Sequence, residues 1–308
     1  MGKLRLALLA GGWSGEREIS LMSGEAVYRA LDRRKYHVIR YDPRDDLVAL
    51  IEDKDKIDLA LILLHGKFGE DGRIQGFLDL LKIPFVGSGV LTSAMALNKS
   101  VAKTHYQRAG LKVIEDVMVF RERPFSVDDI VEALGPLNVV KPVAEGSSLG
   151  MTVCRSKEDL RRGIELAFHY DEEVMIERHV EGVEVTCCVL GTADCETLPL
   201  VEIVPNPEFS FFDYHAKYTQ GATREICPAR LSAVQTEMAF DCALRAHRAL
   251  RCRVWSRTDM IVQGKTLYVL ETNTVPGMTE NSLVPLAART AGMSLSQLLD
   301  KLIELSLT

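Results

Sequence analysis

No stretch of this 308-residue sequence is apolar over the roughly 20 residues that a membrane-spanning helix needs. The short apolar stretch Lys3–Ala10 runs directly into Gly11 and Gly12 with no small-residue cleavage site. This pattern indicates a first β-strand and not a secretory signal. We therefore expect a protein without a membrane partner.

The sequence also has no excess of basic over acidic residues. The chain has 37 Lys and Arg residues against 43 Asp and Glu residues, which gives a formal net charge of -6 at pH 7. General nucleic-acid binders need a basic surface that displaces counterions, so we expect no nucleic-acid partner. The charge balance still permits a small anionic ligand held by a few local cations.

Cysteine motifs and the common nucleotide-binding fingerprints are missing as well. The 7 cysteines include no Cys-x-x-Cys pair and no His/Cys cluster at zinc spacing, which favours free thiols in a reducing cytoplasm. Neither the dinucleotide fingerprint nor the Walker A loop occurs. A nucleotide site in this chain would need another architecture.

The first third of the chain alternates strand and helix patterns. The predicted strands are Lys3–Ala10, His37–Tyr41, Leu59–Leu64 and Pro84–Val86, and the predicted helices are Glu18–Leu31 and Ile74–Leu81. A βαβ series of this kind predicts an open parallel sheet. The uninterrupted apolar run Leu59–Leu64 is typical of a strand that is covered on both faces.

The rest of the chain contains further strands and helices, in agreement with the two or three compact units that its length predicts. The predicted strands are Val117–Phe120, Asn138–Pro142, Met151–Cys154, Glu173–Glu177 and Glu184–Leu190. The predicted helices are Asn98–Ala109, Lys157–Tyr170, Ser232–Leu250 and Ser294–Leu305. A long loop, Asn206–Thr223, interrupts the pattern, and a hairpin of Arg257–Val262 and Thr266–Glu271 turns at Gly264.

The hairpin carries a candidate metal site. Asp259 and Glu271 should lie near each other across the two arms, and Asn273 should share a face with Glu271 because alternate strand residues point the same way. Two carboxylates and one amide oxygen suit Mg²⁺ held jointly with phosphate oxygens. Taken alone, the same residues are more typical of a solvated hairpin surface than of a metal site.

Glycine-rich loops supply two further candidates. The loop Glu145–Gly150 lies between two predicted strands, where backbone N–H groups can bind phosphate, with Lys141 and Lys99 as possible partners. Glu16 follows the glycine loop after the first strand and faces the expected ligand crevice, as does His65 at the end of Leu59–Leu64. Each feature also has an ordinary structural interpretation when it is taken singly. The loop could be only a turn, Glu16 could complement a helix dipole, and His65 could be a structural histidine.

Taken together, six stretches resemble the D-alanine–D-alanine ligase family of the ATP-grasp superfamily. In chain order they are Gly11–Ser20, Leu64–Gly72, Val86–Gly89, Lys141–Gly150, Asp213–Tyr218 and Leu270–Pro285. They span the chain from about residue 5 to its end. The resemblance implies an α/β ATP-grasp fold of three domains, 1–96, 97–183 and 184–308, with an N-terminal open parallel (Rossmann-like) sheet.

The resemblance also implies roles for particular residues. ATP would be held by Lys99, Lys141, Ser148, Glu177, Arg178, His179, Val180, Glu184 and Lys217. Two Mg²⁺ or Mn²⁺ ions would be held by Asp259, Glu271 and Asn273. D-alanine would contact Glu16, His65, Arg257, Ser282 and Leu283. The catalytic set would be Glu16, Ser147, Tyr218, Arg257 and Gly277.

The implied reaction joins two D-alanine molecules for peptidoglycan precursor synthesis. ATP would phosphorylate the first carboxylate, and the amine of the second molecule would attack the resulting acyl phosphate under the lid Asn206–Thr223. A cytoplasmic homodimer is implied on the same ground. The sequence departs from the family at Val254–Ser256 and at Thr258, which flank Arg257.

Three other functions stay open at this point. The first is a sister ligase that joins D-alanine to D-lactate or D-serine, against which Tyr218 argues. The second is a regulatory nucleotide-binding protein without catalysis, for which a missing ligand or a missing Arg257 would be expected. The third is a two-metal hydrolase built on Asp259 and Glu271, which would lack the usual His ligands.

Overall fold

A computed structural model of the protein describes residues 2–206 and 223–307, arranged as three β-sheets with helices packed around them. The predicted lid Asn206–Thr223 lies outside the described residues except at its two ends, and so do Lys217 and Tyr218. Across residues 2–206 and 223–307, no helix combines the length and apolar character that crossing a bilayer requires.

The first sheet is parallel throughout and has the order β2-β1-β3-β4, as the βαβ pattern predicted. Its strands are β1 (Leu4–Leu9), β2 (Tyr36–Tyr41), β3 (Leu59–Ile62) and β4 (Phe85–Val86). All residues of β3 are buried, because apolar clusters cover both faces of the sheet. Its helices are α1 (Arg17–Ala30), α2 (Pro43–Glu52), α3 (Arg73–Leu80) and α4 (Val90–Leu97), with a 3₁₀ turn at Lys54–Lys56.

The second sheet is antiparallel and has the order β5-β8-β6-β7. Its strands are β5 (Asp116–Phe120), β6 (Asn138–Pro142), β7 (Thr152–Cys154) and β8 (Glu173–Arg178). The glycine-rich loop 145–150 joins β6 to β7, as predicted. The nearby helices are α5 (Lys99–Arg108), α6 (Val127–Leu134) and α7 (Lys157–Ala167), and serine side chains cap the last two at Ser126 and Ser156.

The third sheet is also antiparallel, with the order β12-β11-β9-β13-β14 and β10 beside β9. Its strands are β9 (Val183–Leu190), β10 (Glu196–Thr197), β11 (Val201–Pro205), β12 (Thr223–Ile226), β13 (Trp255–Gln263) and β14 (Thr266–Asn273). The predicted hairpin is therefore present as β13 and β14. Strand β13 carries functional candidates and is hydrogen-bonded to β9 on one side and β14 on the other.

Three helices follow in the last part of the chain, α8 (Ala233–Ala249), α9 (Leu283–Thr290) and α10 (Leu295–Leu307). A capping box of Ser232 and Gln235 starts α8. Helix α10 returns to pack against α1 and β4 of the first sheet, and one apolar cluster joins that sheet to the third through Trp255 and Met278. The three domain limits given above stay a prediction.

Several short elements were not predicted from the sequence. They are α2, α4, α6 and α9 and the strands β10, β11 and β12. Each helix among them has at most ten residues, so its apolar periodicity covers less than three turns. The N-cap Asp42 followed by Pro43 was the clearest missed signal, because proline is favoured in the first helical turn.

Candidate active site

Two clefts meet at the pair Asp259 and Glu271, which line both of them. The first cleft lies between the second and third sheets. Its predicted residues are Lys99, Lys141, Ser148, Glu177, Arg178, His179, Val180 and Glu184. The second cleft opens towards the first sheet. Its predicted residues are Glu16, His65, Ser147, Arg257, Asn273, Gly277, Ser282 and Leu283.

The carboxylate pair is set by the register of the β13–β14 hairpin. Asp259 pairs directly with Glu271, and Arg257 pairs with Asn273. The register then shifts between Asp259 and Met260, which marks a β-bulge at the edge of the site. Bulges of this kind redirect side chains and are frequent beside active sites.

Asp259 is buried and accepts hydrogen bonds from neighbouring donors. The Arg257 Nε and Nη2 atoms donate to its two oxygens at 2.9 and 2.8 Å, and Thr186 Oγ1 donates at 2.5 Å from β9. Burial alone would lower the pKa of Arg257, but the Asp259 carboxylate outweighs burial and raises it above its ordinary value. Arg257 is therefore a fixed cation that points into the second cleft.

The donors at the hairpin fit a hard divalent cation. Among the residues that the structure describes, no cluster of three or more His, Cys, Asp or Glu side chains could hold a metal ion. Asp259 and Glu271 with the amide of Asn273 therefore form an incomplete set of oxygen ligands. Such a set suits Mg²⁺, which takes its remaining ligands from phosphate and water.

Two lysines, the buried Lys103 and the partly buried Lys141, flank Glu177 in the first cleft. Lys141 Nζ lies 2.5 Å from one oxygen of Glu177, and Lys103 Nζ lies 2.9 Å from the other. Burial by itself would raise the pKa of Glu177 and lower that of Lys141. The ion pair outweighs burial, so the pKa of Glu177 is lowered and that of Lys141 is raised. Glu177 and Lys141 are consequently charged, and the two ion pairs hold all three side chains in fixed positions.

Lys99 begins α5 and extends to the point where the clefts meet. Its Nζ donates to the backbone carbonyl of Glu145 at 2.6 Å and lies 3.6 Å from a carboxylate oxygen of Glu271. The glycine-rich loop is thus joined to the third sheet through this cation. Lys99 and Lys141 place two positive charges in one cleft beside the carboxylate pair, which is the arrangement that a polyphosphate requires.

Glu16 is enclosed where the glycine-rich loop contacts the first sheet. Ser147 donates a hydrogen bond from its hydroxyl to the Glu16 carboxylate across 131 residues of sequence. A Cβ atom added to Gly66 or to Gly146 would clash with Glu16 Oε2, so both glycines are needed for this close approach. The predicted partners Glu16 and Ser147 therefore lie together.

His65 joins the first sheet to the segment after β14. Its Nδ1 lies 3.1 Å from the Val275 carbonyl and its Nε2 lies 3.2 Å from Ser23 Oγ. Burial alone would lower the pKa of His65, but the neighbouring carboxylates of Glu70 and Glu16 raise it above its ordinary value. Both ring nitrogens have protein partners, so the geometry makes His65 a link between two parts of the site.

The start of α9 forms the far wall of the second cleft. Ser282 is the N-cap of this helix and Leu283 is its first residue. The Thr279 N–H donates to Ser282 Oγ at 3.0 Å, which orders the turn after Gly277. Helix N-termini favour anions, so this wall is suited to a carboxylate.

Comparison with known proteins agrees with this architecture. The family model described as "D-ala D-ala ligase C-terminus" matches residues 106–304, and the model described as "D-ala D-ala ligase N-terminus" matches residues 43–88. The D-alanine–D-alanine ligase of Syntrophobacter fumaroxidans is 53% identical over 305 residues, covering 99% of this chain and 98% of that relative.

The chain belongs to the D-alanine–D-alanine ligase family.

Solved structures agree with this assignment and with the ATP-grasp fold. The D-alanine–D-alanine ligase from Bacillus anthracis complexed with ATP has a TM-score of 0.87 and 34% identity, covering 99% of this chain and 97% of that one. The VanG D-Ala:D-Ser ligase from Enterococcus faecalis has a TM-score of 0.84 and 32% identity, covering 99% and 100%. The predicted fold class and family are confirmed.

Three residues that sequence reasoning had not assigned stand out in this D-alanine–D-alanine ligase family member. Lys103 is buried against Glu177, Glu70 is buried beside His65, and Thr186 donates to Asp259. Lys103 had a sequence signal, because it follows Lys99 by one helical turn on α5. Thr186 had none, since only strand pairing brings it to Asp259.

Proposed function

We propose that the chain joins two D-alanine molecules at the expense of ATP, which yields D-alanyl-D-alanine, ADP and phosphate. The observation that carries this proposal is the shared wall of the two clefts. Asp259 and Glu271 line both, so a nucleotide in the first cleft would end where an amino acid in the second begins. This position suits transfer of a terminal phosphoryl group to a carboxylate.

Activation is needed because a carboxylate is a poor acyl donor, with oxide as its leaving group. Transfer of the γ-phosphoryl group turns it into an acyl phosphate, whose leaving group is phosphate. Catalysis of such transfers depends on positioning and on neutralising charge. Lys99 and Lys141 are placed to hold the phosphates, and Glu177 to Val180 with Glu184 line the part of the cleft left for adenine and ribose.

Divalent cations belong to the same proposal. We propose that Asp259, Glu271 and Asn273 hold two Mg²⁺ or Mn²⁺ ions together with the ATP phosphates. When bound, these ions would neutralise the charge on the transferring group. The support for this is the chemistry of the donor set, which consists of hard oxygen ligands on paired strands.

The second cleft has groups for both D-alanine molecules. The Glu16 carboxylate, held by Ser147, is placed for the ammonium of the first, and the start of α9 at Ser282 and Leu283 for the carboxylate of the second. Arg257 and the Gly277 N–H line the cleft between them. As the second amine attacks, they would stabilise the developing oxyanion, a role that accounts for about 3–4 kcal/mol per donor.

Two of the predicted residues fall outside the described part of the chain. Lys217 is proposed to reach the γ-phosphate, and Tyr218 is proposed to complete a hydrogen-bonded set with Ser147 and Glu16. The segment that contains them is proposed to exclude water, because water would hydrolyse the acyl phosphate.

The proposal is tested by measuring ADP release from ATP and Mg²⁺ with D-alanine alone, with product identification. Equal amounts of ADP and D-alanyl-D-alanine are expected. A parallel reaction with D-alanine and D-serine examines the activity named for the Enterococcus faecalis structure. Turnover only with the mixed pair, or no ADP despite nucleotide binding, would contradict the proposed reaction.

We also propose that the chain acts in the cytoplasm as a homodimer. The resemblance to the family supports the dimer, and the location is supported by cysteines that are all free, at positions 154, 187, 188, 195, 227, 242 and 252. Sedimentation equilibrium should give twice the 34.3 kDa chain mass. A concentration-independent single-chain mass would contradict the dimer, and export from the cell would contradict the location.

A further inference from the structure

A lysine from the first sheet extends into the glycine-rich loop of the second. Lys67 Nζ lies 2.5 Å from the Glu145 carboxylate and donates to the Tyr170 carbonyl at 2.8 Å. The two acceptors belong to different segments around the second sheet, one before β7 and one before β8. A single ammonium group therefore ties the loop after β3 to two points of another sheet.

The residue after Lys67 has several contacts of its own. The next residue, Phe68, has a positive φ of 69° and donates its N–H to the Asp71 carboxylate at 2.7 Å. The Phe68 ring packs edge-on against Trp13 with centroids 5.6 Å apart, and the Arg73 guanidinium lies over the ring. These contacts hold the residue next to Lys67 in place, and the Lys67 side chain reaches the glycine-rich loop from there.

The other partner, Glu145, occupies a central position in the loop. Its carbonyl accepts from Lys99, and the next residue, Gly146, packs against the Glu16 carboxylate. A shift of Glu145 would therefore disturb two contacts at once, the one with Lys99 and the one with Glu16.

This ion pair differs from an ordinary surface salt bridge, which contributes little because both partners are solvated and mobile. Only 12% of the Glu145 side chain is exposed, against 35% for Lys67. The Lys67 ammonium also has two acceptors in place of one. Both features favour an ion pair between Lys67 and Glu145 that keeps one geometry and so restrains the glycine-rich loop.

We propose that Lys67 is a positioning residue that holds the glycine-rich loop closed over both clefts before any substrate binds. It acts through Glu145, and it touches neither the reacting atoms nor the carboxylate pair. The part of this inference that concerns substrate binding rests on the proposed function. Removing the ammonium should weaken binding of ATP and of the first D-alanine together, while the chemical step stays nearly unchanged.

The first test compares Lys67→Met with the control variant Lys54→Met. Lys54 is an exposed lysine on the 3₁₀ turn that precedes β3. Hydrogen exchange is followed in peptides that cover residues 143–151, without nucleotide. Faster exchange by about tenfold is expected in Lys67→Met alone, a size typical of one lost charge-assisted hydrogen bond. Equal protection in both variants and in the parent protein would overturn the proposal.

The second test is kinetic. Lys67→Met should raise the KM for ATP and for the first D-alanine by about tenfold while kcat stays within about twofold. Lys67→Arg, which keeps the charge, should recover most of this loss, and Glu145→Gln should add little to Lys67→Met because both remove the same contact. A fall in kcat with unchanged KM values would contradict a positioning role.

The two tests separate the inference from the proposed function. If the parent protein forms no ADP, the kinetic arm has no signal and the proposed function fails, but hydrogen exchange still decides whether Lys67 holds the loop. If the parent protein turns over and Lys67→Met matches it in both tests, the inference about Lys67 fails and the proposed function stands.

Discussion

Lys103 forms ion pairs with two carboxylates at the first cleft. Its ammonium lies 2.5 Å from Asp116 and 2.9 Å from Glu177, and it is almost completely buried. Lys103→Met would leave Glu177 with Lys141 as its remaining cationic partner in that ion-pair network. Breaking a buried ion pair from one side costs about 3–5 kcal/mol, so we expect the free energy of unfolding to fall by that amount.

Urea unfolding of Lys103→Met, followed by circular dichroism, measures this change. The exposed Lys54→Met is the matched control, and its free energy of unfolding should change by less than about 0.5 kcal/mol. A Lys103→Met variant as stable as the parent protein would show that Glu177 does not need its second lysine.

We expect His247 to make the free energy of unfolding depend on pH. It is fully buried, its Nδ1 lies 2.8 Å from Ser256 Oγ, and burial lowers its pKa to about 4. The unfolded value is about 6.5, so between these pH values the unfolded chain binds one more proton than the folded one. The free energy of unfolding should therefore fall by about 1.4 kcal/mol per unit as pH decreases from 6.5 towards 4.

Unfolding titrations at several pH values test this in the parent protein and in His247→Asn, which keeps a polar group near Ser256. The variant should lose the His247 part of the slope and keep the part that comes from other groups. An unchanged slope in His247→Asn would refute the assignment.

Residues of the site differ in how far sequence could predict them. Asp259, Glu271 and Asn273 follow from strand alternation and hairpin pairing, which are local rules, and the structure places them together. The contact of Lys103 with Glu177 spans 74 residues, and no local periodicity encodes it. The roles of Ser147 and Arg257 came only from the family resemblance, whereas Glu16 was also a candidate from its place after the first strand. All three roles stay proposals.

Among the elements, the glycine-rich loop depends most on a single small residue. Gly146 has no room for a Cβ, because Glu16 Oε2 lies where that atom would be. Gly146→Ala should push the loop away from Glu16 and reduce kcat/KM by about a hundredfold, since a 1 Å misplacement can cost that much. Stability should change little, because the loop lies outside the apolar cores.

Steady-state ADP release and thermal unfolding together test this prediction. Gly89→Ala is the control, because Gly89 has an ordinary φ of −79° and nothing lies within 4 Å of a Cβ added there. If both variants retain full activity, the close packing of the loop on Glu16 is not needed for function.

Element prediction succeeded where the apolar pattern was clear. The strands of the parallel sheet and the helix α8 of 17 residues follow from apolar runs and clear starting residues. Helices such as α4 and α9, with 8 residues each, are set mainly by packing between layers. The β-bulge after Asp259 is likewise a product of pairing with two neighbours, which the hairpin sequence alone does not specify.

For the whole molecule, ATP binding between sheets should raise stability through mass action. At a free ATP concentration a hundred times the Kd, with Mg²⁺, the expected gain is about 2.7 kcal/mol. The unfolding midpoint should rise by several degrees, and EDTA should remove much of that rise because the proposed phosphate ligands include the metal.

Differential scanning calorimetry with ATP and Mg²⁺, with ATP and EDTA, and with neither measures these effects. GTP serves as the matched anionic control, since its base presents a carbonyl where adenine presents an amino group. An equal shift with both nucleotides and no response to EDTA would point to nonspecific anion binding.

The contact between His65 and Val275 spans 210 residues, and the contact between Glu16 and Ser147 spans 131. A chain leaving the ribosome, N-terminus first, can therefore assemble its first sheet early, but the catalytic region needs the strands that emerge near the end. Fragments released by premature termination before Val275 would lack a complete site. Such fragments would lack the wall of the second cleft that Gly277, Ser282 and Leu283 form, so we expect them to produce no dipeptide.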